Sequence, residues 1–160
     1  LEPTADEDAE MPYWSPNREA PYLDGIPLTK PPWGRIVAID MHRGEHVWQI
    51  ANGDSLSDHP DLANLNLSDL GIASRPAALV TRTLLFIGEG SNNHGGTMPD
   101  MWGRMFRAYD KASGEEISAI ELPSGTTGAP MTYLHNGKQY IVVAVGSLSD
   151  PGEWVALALP

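Results

Sequence analysis

A chain of 160 residues, 41% hydrophobic and 19% charged, suffices for one ordinary domain, and no apolar run in it is long enough to span a membrane. The formal net charge of −11 argues against a nucleic-acid surface, which needs a concentrated positive field. The absence of cysteine excludes a disulfide framework, a thiolate zinc site and a haem attachment motif.

The first 33 residues carry Pro3, Pro12, Pro16, Pro21, Pro27, Pro31 and Pro32, and Glu2, Asp6, Glu7, Asp8 and Glu10 read as a solvated tail. Proline removes ladder donors, so residues 1–33 are expected to form an irregular arm, with regular structure over 34–160. Strands at 34–39 and 45–50 make one hairpin, and a loop at 51–74 holds a helical turn around Pro60 to Leu65. Pro76–Val80 and Leu84–Gly88 form a second hairpin about Thr81-Arg82. A glycine-rich loop at 89–103 leads to Met105–Tyr109, a turn and Glu116–Leu122. Asn136-Gly137, the strongest turn signal in the chain, joins Pro130–Leu134 to Gln139–Val145, and Trp154–Leu159 is the last strand.

Two segments repeat. Arg35-Ile36-Val37-Ala38-Ile39-Asp40 with Gly44-Glu45 aligns with Met105-Phe106-Arg107-Ala108-Tyr109-Asp110 and Gly114-Glu115, bringing Ala, Asp, Gly and Glu into register. Each copy reads as strand, tight turn, strand. The aspartate can accept backbone amides in the turn, and the glycine can take a positive φ. A propeller blade joins its outer strands in this way. The expected fold is therefore all-β: a partial β-propeller of about two to three four-stranded antiparallel blades, incomplete. Residues 34–50 are two outer strands, 75–122 a complete blade, and 129–159 three strands of another. A closed ring needs about four or more blades of about 40 residues. Open strand edges are expected to favour self-association or a complementing chain.

Several residues invite a chemical reading. Asp40 and Asp110 belong to the repeated turn rather than to a carboxylate pair, and Trp48 and Trp154 are expected to pack between sheets. His42-Arg43-Gly44-Glu45-His46 spells H-x-x-E-H, but zinc chemistry there needs both histidines on one helical face, and this is a turn. Gly88-Glu89-Gly90-Ser91-Asn92-Asn93 has a phosphate-loop look without a following helix. The longer loop Glu89–Gly103, with Asn92, Asn93, His94, Gly95 and Gly96, could hydrogen-bond a ligand but is read as a surface loop. Asp54, Asp58, His59 and Asp61 lack EF-hand spacing and are read as a solvated loop. Thr126-Thr127-Gly128-Ala129-Pro130 leads into an inner strand, where small residues allow close approach to a ligand on the axis. This is the best functional stretch.

The phrases Gly34–Asp40, Phe106–Glu115, Leu122–Tyr133 and Asn136–Gly146, with the closing Val155–Pro160, resemble the membrane glucose dehydrogenase type of pyrroloquinoline quinone (PQQ) enzymes. The resemblance runs in order over about residues 31–160. Two departures from the family's blade signature stand out: Arg43 and Ser113 replace the threonine before glycine, and Ser118 replaces a tryptophan that Trp48 keeps. The resemblance implies the C-terminal part of a much longer eight-bladed quinoprotein propeller. It implies periplasmic oxidation of sugars or polyols, PQQ held on the axis with calcium or magnesium, and electrons passed to ubiquinone. It places the protein in the periplasm, associated with the inner membrane through an N-terminal part outside this sequence. The family's catalytic aspartate and metal ligands lie in earlier blades, so no catalytic or metal residue is assigned. Cofactor contacts are assigned to Arg75, Thr126, Thr127, Gly128 and Ala129, with Arg75 meeting a quinone carboxylate. The alternative is a non-enzymatic propeller scaffold that binds protein partners, since fold does not certify chemistry.

Overall fold

The computed structural model describes residues 2–3, 13–14, 22–54, 56, 59–91 and 103–158. Two small ladders come first: Glu2–Pro3 (β1) with Tyr13–Trp14 (β2), and Tyr22–Leu23 (β3) with Ile26–Pro27 (β4). The prolines predict no ladder before Gly34. The second one forms because Asp24 and Gly25, at φ 50° and 84°, supply the two positive φ values of a tight hairpin turn.

The main strands follow the expected order. Arg35–Asp40 (β5) pairs with Glu45–Ala51 (β6), and the loop after them contains one short 3-10 turn, Ala63–Leu65. Ala78–Val80 (β7), Leu84–Gly88 (β8), Met105–Asp110 (β9) and Glu116–Glu121 (β10) form a four-stranded antiparallel sheet, ordered β10-β9-β8-β7. Met131–His135 (β11), Lys138–Val145 (β12) and Glu153–Ala158 (β13) form a three-stranded sheet in chain order. The described residues are thus all-β, an open partial propeller with one four-stranded blade between two sheets of fewer strands. No helix among the described residues is long and apolar enough to cross a membrane.

The repeat has a physical basis. Asp40 Oδ1 accepts the amides of His42 (2.8 Å) and Arg43 (3.3 Å), and Asp110 Oδ1 accepts those of Ala112 and Ser113 (both 2.9 Å). Gly44 and Gly114 close the turns at φ 70° and 77°. After each turn the ladder is bulged at the same place: Ala38 pairs with Trp48 but Ile39 with His46, and Ala108 pairs with Ser118 but Tyr109 with Glu116. The extra residues, Val47 and Ile117, are exposed. The bulge therefore puts Trp48 and Ser118 on equivalent faces of their sheets.

Those faces stack. Ile36, Trp48 and Ile50 of the first hairpin pack on Leu85, Ile87 and Tyr109 of the four-stranded sheet. The opposite face of that sheet, through Phe106 and Leu122, meets Val143 and Val145, with Phe86, Ile141, Val155 and Leu157 around them. Each fully buried side chain of this kind contributes about 1.5–3 kcal/mol. The far face of the third sheet is open: Tyr133 and Tyr140 stack on it at 5.2 Å, and Trp154 is 73% exposed. Trp154 thus does not pack between sheets as expected, because no sheet among the described residues lies against its face.

Candidate functional site

The buried polar and charged side chains among the described residues are Asn52, Glu89, Ser91, Ser124 and Thr126. They gather where the connecting segments of all three sheets converge on the strip Gly88–Ser91. Buried polar groups must be paired, so their bonds define the site. From the first sheet's loop, Asn52 donates its Nδ2–H to the Gly88 carbonyl (3.1 Å). From the segment entering β7, the Ser74 hydroxyl donates to the Glu89 carbonyl. From the segment entering β11, Thr126 Oγ1 accepts the Gly90 amide (3.1 Å).

Glu89 is the anchor. Its carboxylate pairs with the Arg107 guanidinium and accepts the Met105 amide at 3.1 Å, while Arg107 Nε also reaches Glu116 at 3.1 Å. The carboxylate therefore bonds to β9 while its own backbone leaves β8, tying together the two ends of the 90–104 connection. Burial raises the Tyr109 phenol above its ordinary value, and Arg107 opposes this. Asn52 Oδ1 is the one buried side-chain polar atom without a partner among the described residues.

The segment entering β11 has an unusual course. Thr126 bridges Val145 and the Thr127 amide donates to the Ala144 carbonyl (3.0 Å), whereas β11 resumes with Met131 opposite Val142. Five steps along the inner segment thus match three along β12, and Gly128–Pro130 bulge out of the ladder. Bulges re-aim side chains and recur beside active sites. A Cβ at Gly128 would meet only the Ala144 Cβ, at 3.8 Å, so the glycine leaves open space rather than filling a contact. Nearby, Ser124 donates to Asp150 Oδ2 (2.7 Å) and the Gly146 amide to the Gly125 carbonyl (2.9 Å). The Ser124 and Ser147 hydroxyls, with Arg104, hold the Asp150 carboxyl below its ordinary value.

The structure brings the sequence-predicted residues to one end of the sheets. Thr126 is buried, Gly128 half-buried, and Arg75, Thr127 and Ala129 exposed. Ser74 and Thr126 approach Gly90 from two sides, so Arg75 and Thr127 each follow an anchored neighbour. Other candidates fall elsewhere. His42 and His46 are exposed on a turn and a strand. Asp54 accepts the Leu70 amide at 3.2 Å, and His59 contacts the Asp24 carbonyl at 3.0 Å. Asp58, Asn92, Asn93, His94, Gly95 and Gly96 lie outside the described residues. Among the described residues no three His, Asp or Glu form a metal-binding group. Sequence reasoning missed Glu89 with Arg107, and Asn52.

Residues 2–141 match the family described as PQQ: glucose/ethanol/alcohol dehydrogenase, β-propeller domain. The chain is 33% identical over 153 residues to the quinoprotein glucose dehydrogenase of Escherichia coli (strain K12), covering 88% of this chain and 17% of that protein. It is 29% identical over 142 residues to quinoprotein glucose dehydrogenase A of Acinetobacter calcoaceticus, covering 85% and 16%. It is 32% identical over 125 residues to the glycerol dehydrogenase large subunit of Gluconobacter thailandicus, covering 76% and 15%. The chain therefore spans only about a sixth of the length of these relatives, the longest share being 17%.

Proposed function

This chain belongs to the PQQ β-propeller family of glucose, ethanol and alcohol dehydrogenases, and on that premise we propose that it is the C-terminal part of a periplasmic dehydrogenase oxidising sugars or polyols, with electrons passing to a quinone. The observation that carries the reading is the family match itself, which covers the inner-edge segment 125–130. The glucose and glycerol dehydrogenases among its relatives support the substrate class. In this reading the protein is held at the inner membrane by a part outside this chain.

The residues at the inner edge suit a flat polyanionic quinone. Arg75 offers an exposed guanidinium, and Thr127 an exposed hydroxyl. Gly128 leaves room for a ring to approach, since even a Cβ there would touch only Ala144. Bound PQQ would supply a two-electron acceptor for the hydride equivalent at the substrate's carbinol carbon, with a calcium or magnesium ion to polarise it and the hydroxyl proton going to a base in another part of the protein. This chain's share is to bind and orient. Arg75 forms a charge-assisted bond to a carboxylate of the cofactor. Thr126, tied to Gly90, fixes the backbone from which Thr127 donates, and Gly128 and Ala129 form a low wall. The substrate base and the metal ligands are assigned to other parts of the protein. The free edge of β13 takes a further strand, from elsewhere in the protein or from a second chain.

The test is to prepare the protein carrying this chain without cofactor and assay glucose and glycerol with an artificial electron acceptor. Oxidation that appears only on adding PQQ with calcium or magnesium is expected. No oxidation under any of these conditions overturns the reading in favour of a scaffold.

A further inference from the structure

The internal repeat places Ser118 where the first copy has Trp48, an offset of 70 residues that also relates Asp40 to Asp110. Both residues sit just after the same bulge and opposite the same alanine, Ala38 or Ala108. In the first gap between sheets the indole of Trp48 fills the space, packing on Leu85, Ile87 and Tyr109 and donating Nε1–H to the Lys111 carbonyl at 3.1 Å. In the second gap Ser118 leaves the space open. A cleft of about 660 Å³ lies there, lined by Leu84, Phe86, Phe106, Ile120, Ile141 and Leu157 on its apolar walls. Its polar lining includes Ser118, Thr132 and Gln139, and the arginines Arg82 and Arg107.

We propose that this cleft is a binding site for a flat aromatic small molecule of about the size of indole, bearing one N–H or O–H donor. Its volume falls in the range of ligand pockets, about 300–1,000 Å³. The occupant's chemistry is read from the first gap, where the same faces of the same repeat enclose an indole with its N–H on a backbone carbonyl. The site is separate from the inner edge that carries Arg75 and Thr127, and it does not depend on the dehydrogenase reading.

The probe is indole itself, titrated into the protein while methyl and amide resonances are followed. Saturable shifts are expected at Leu84, Ile120, Ile141 and Leu157, and none at Leu85 or Ile87 in the filled gap. Ser118→Trp should supply the missing ring, raise the thermal midpoint and abolish the shifts. Ser118→Leu, which fills the cleft only partly, should weaken binding by about ten-fold or more while leaving the fold intact; it decides the matter if the tryptophan variant does not fold. The proposal is overturned if indole gives no saturable shift, as it would if another part of the protein already filled the cleft. It is equally overturned if the folded Ser118 variants bind indole as well as the parent.

Discussion

The indole of Trp48 lies directly on the backbone of Gly114, one sheet away: a Cβ on that glycine would sit 2.8 Å from Trp48 Cδ2. The same ring donates to Lys111 in the same turn, at 3.1 Å. One side chain from the first copy of the repeat thus latches onto the turn of the second. The turn glycine serves both its own hairpin and its neighbour's packing.

Gly44 and Gly114 occupy equivalent turn positions at φ 70° and 77°, but nothing lies within 4 Å of a Cβ built on Gly44. Gly44→Ala should therefore cost only the left-handed strain, about 1–2 kcal/mol. Gly114→Ala should cost that plus displacement of the indole, which adds about 1–3 kcal/mol of overpacking. Denaturant midpoints of the two variants measure the difference. Equal losses would mean the Trp48 contact is not tight.

The pair of Glu89 with Arg107 is buried, its side chains 6% and 16% exposed. Removing Arg107 leaves the buried Glu89 carboxylate without its counter-charge, a cost of about 3–5 kcal/mol. Arg107→Met should therefore be severely destabilising. The double variant Glu89→Leu with Arg107→Met should recover much of the loss, because desolvation of both charges is then avoided. A double-mutant cycle in urea reads the coupling, and strict additivity would contradict the clamp.

The Ser124 hydroxyl, foremost among its partners, holds the Asp150 carboxyl below its ordinary value. A folded-state value below the unfolded one gives stability that is full above the unfolded value, about 3.9, and is lost as pH falls through the folded value. Ser124→Ala should therefore be less stable than the parent at neutral pH, and the gap should narrow on acidification below about pH 4. Unfolding midpoints measured from pH 7 downward check this. A gap independent of pH would assign the loss to packing alone.

Much of this fold is legible along the chain because its determinants are local. Asp40 with Gly44, Asp110 with Gly114, and Asn136 with Gly137 each mark a turn by residues that must accept amides or take a positive φ. Between them, apolar periodicity sets the strands. Asp24-Gly25 carried the same signal, but the surrounding prolines masked it. The clamp between Glu89 and Arg107 was illegible for a different reason. Its partners are 18 residues apart on separate strands, and Glu89 sits in a Gly-Glu-Gly-Ser stretch that reads locally as loop. The bulge at Gly128–Pro130 likewise depends on register against β12, which no local pattern specifies. The small residues at 126–129 were visible; the projection that exposes Ala129 was not.

The most direct test of the account is equilibrium binding of PQQ, with calcium present, to the protein carrying this chain and to its Arg75→Ala and Gly128→Val variants. Gly128 takes no positive φ and has space for a side chain, so its variant should fold. Saturable binding by the parent is expected, weakened about ten-fold by loss of the guanidinium, which corresponds to roughly 1.4 kcal/mol, and weakened again by a side chain at Gly128. Binding that is absent from the parent, or the same in all three, would contradict the assignment of this inner edge to the cofactor.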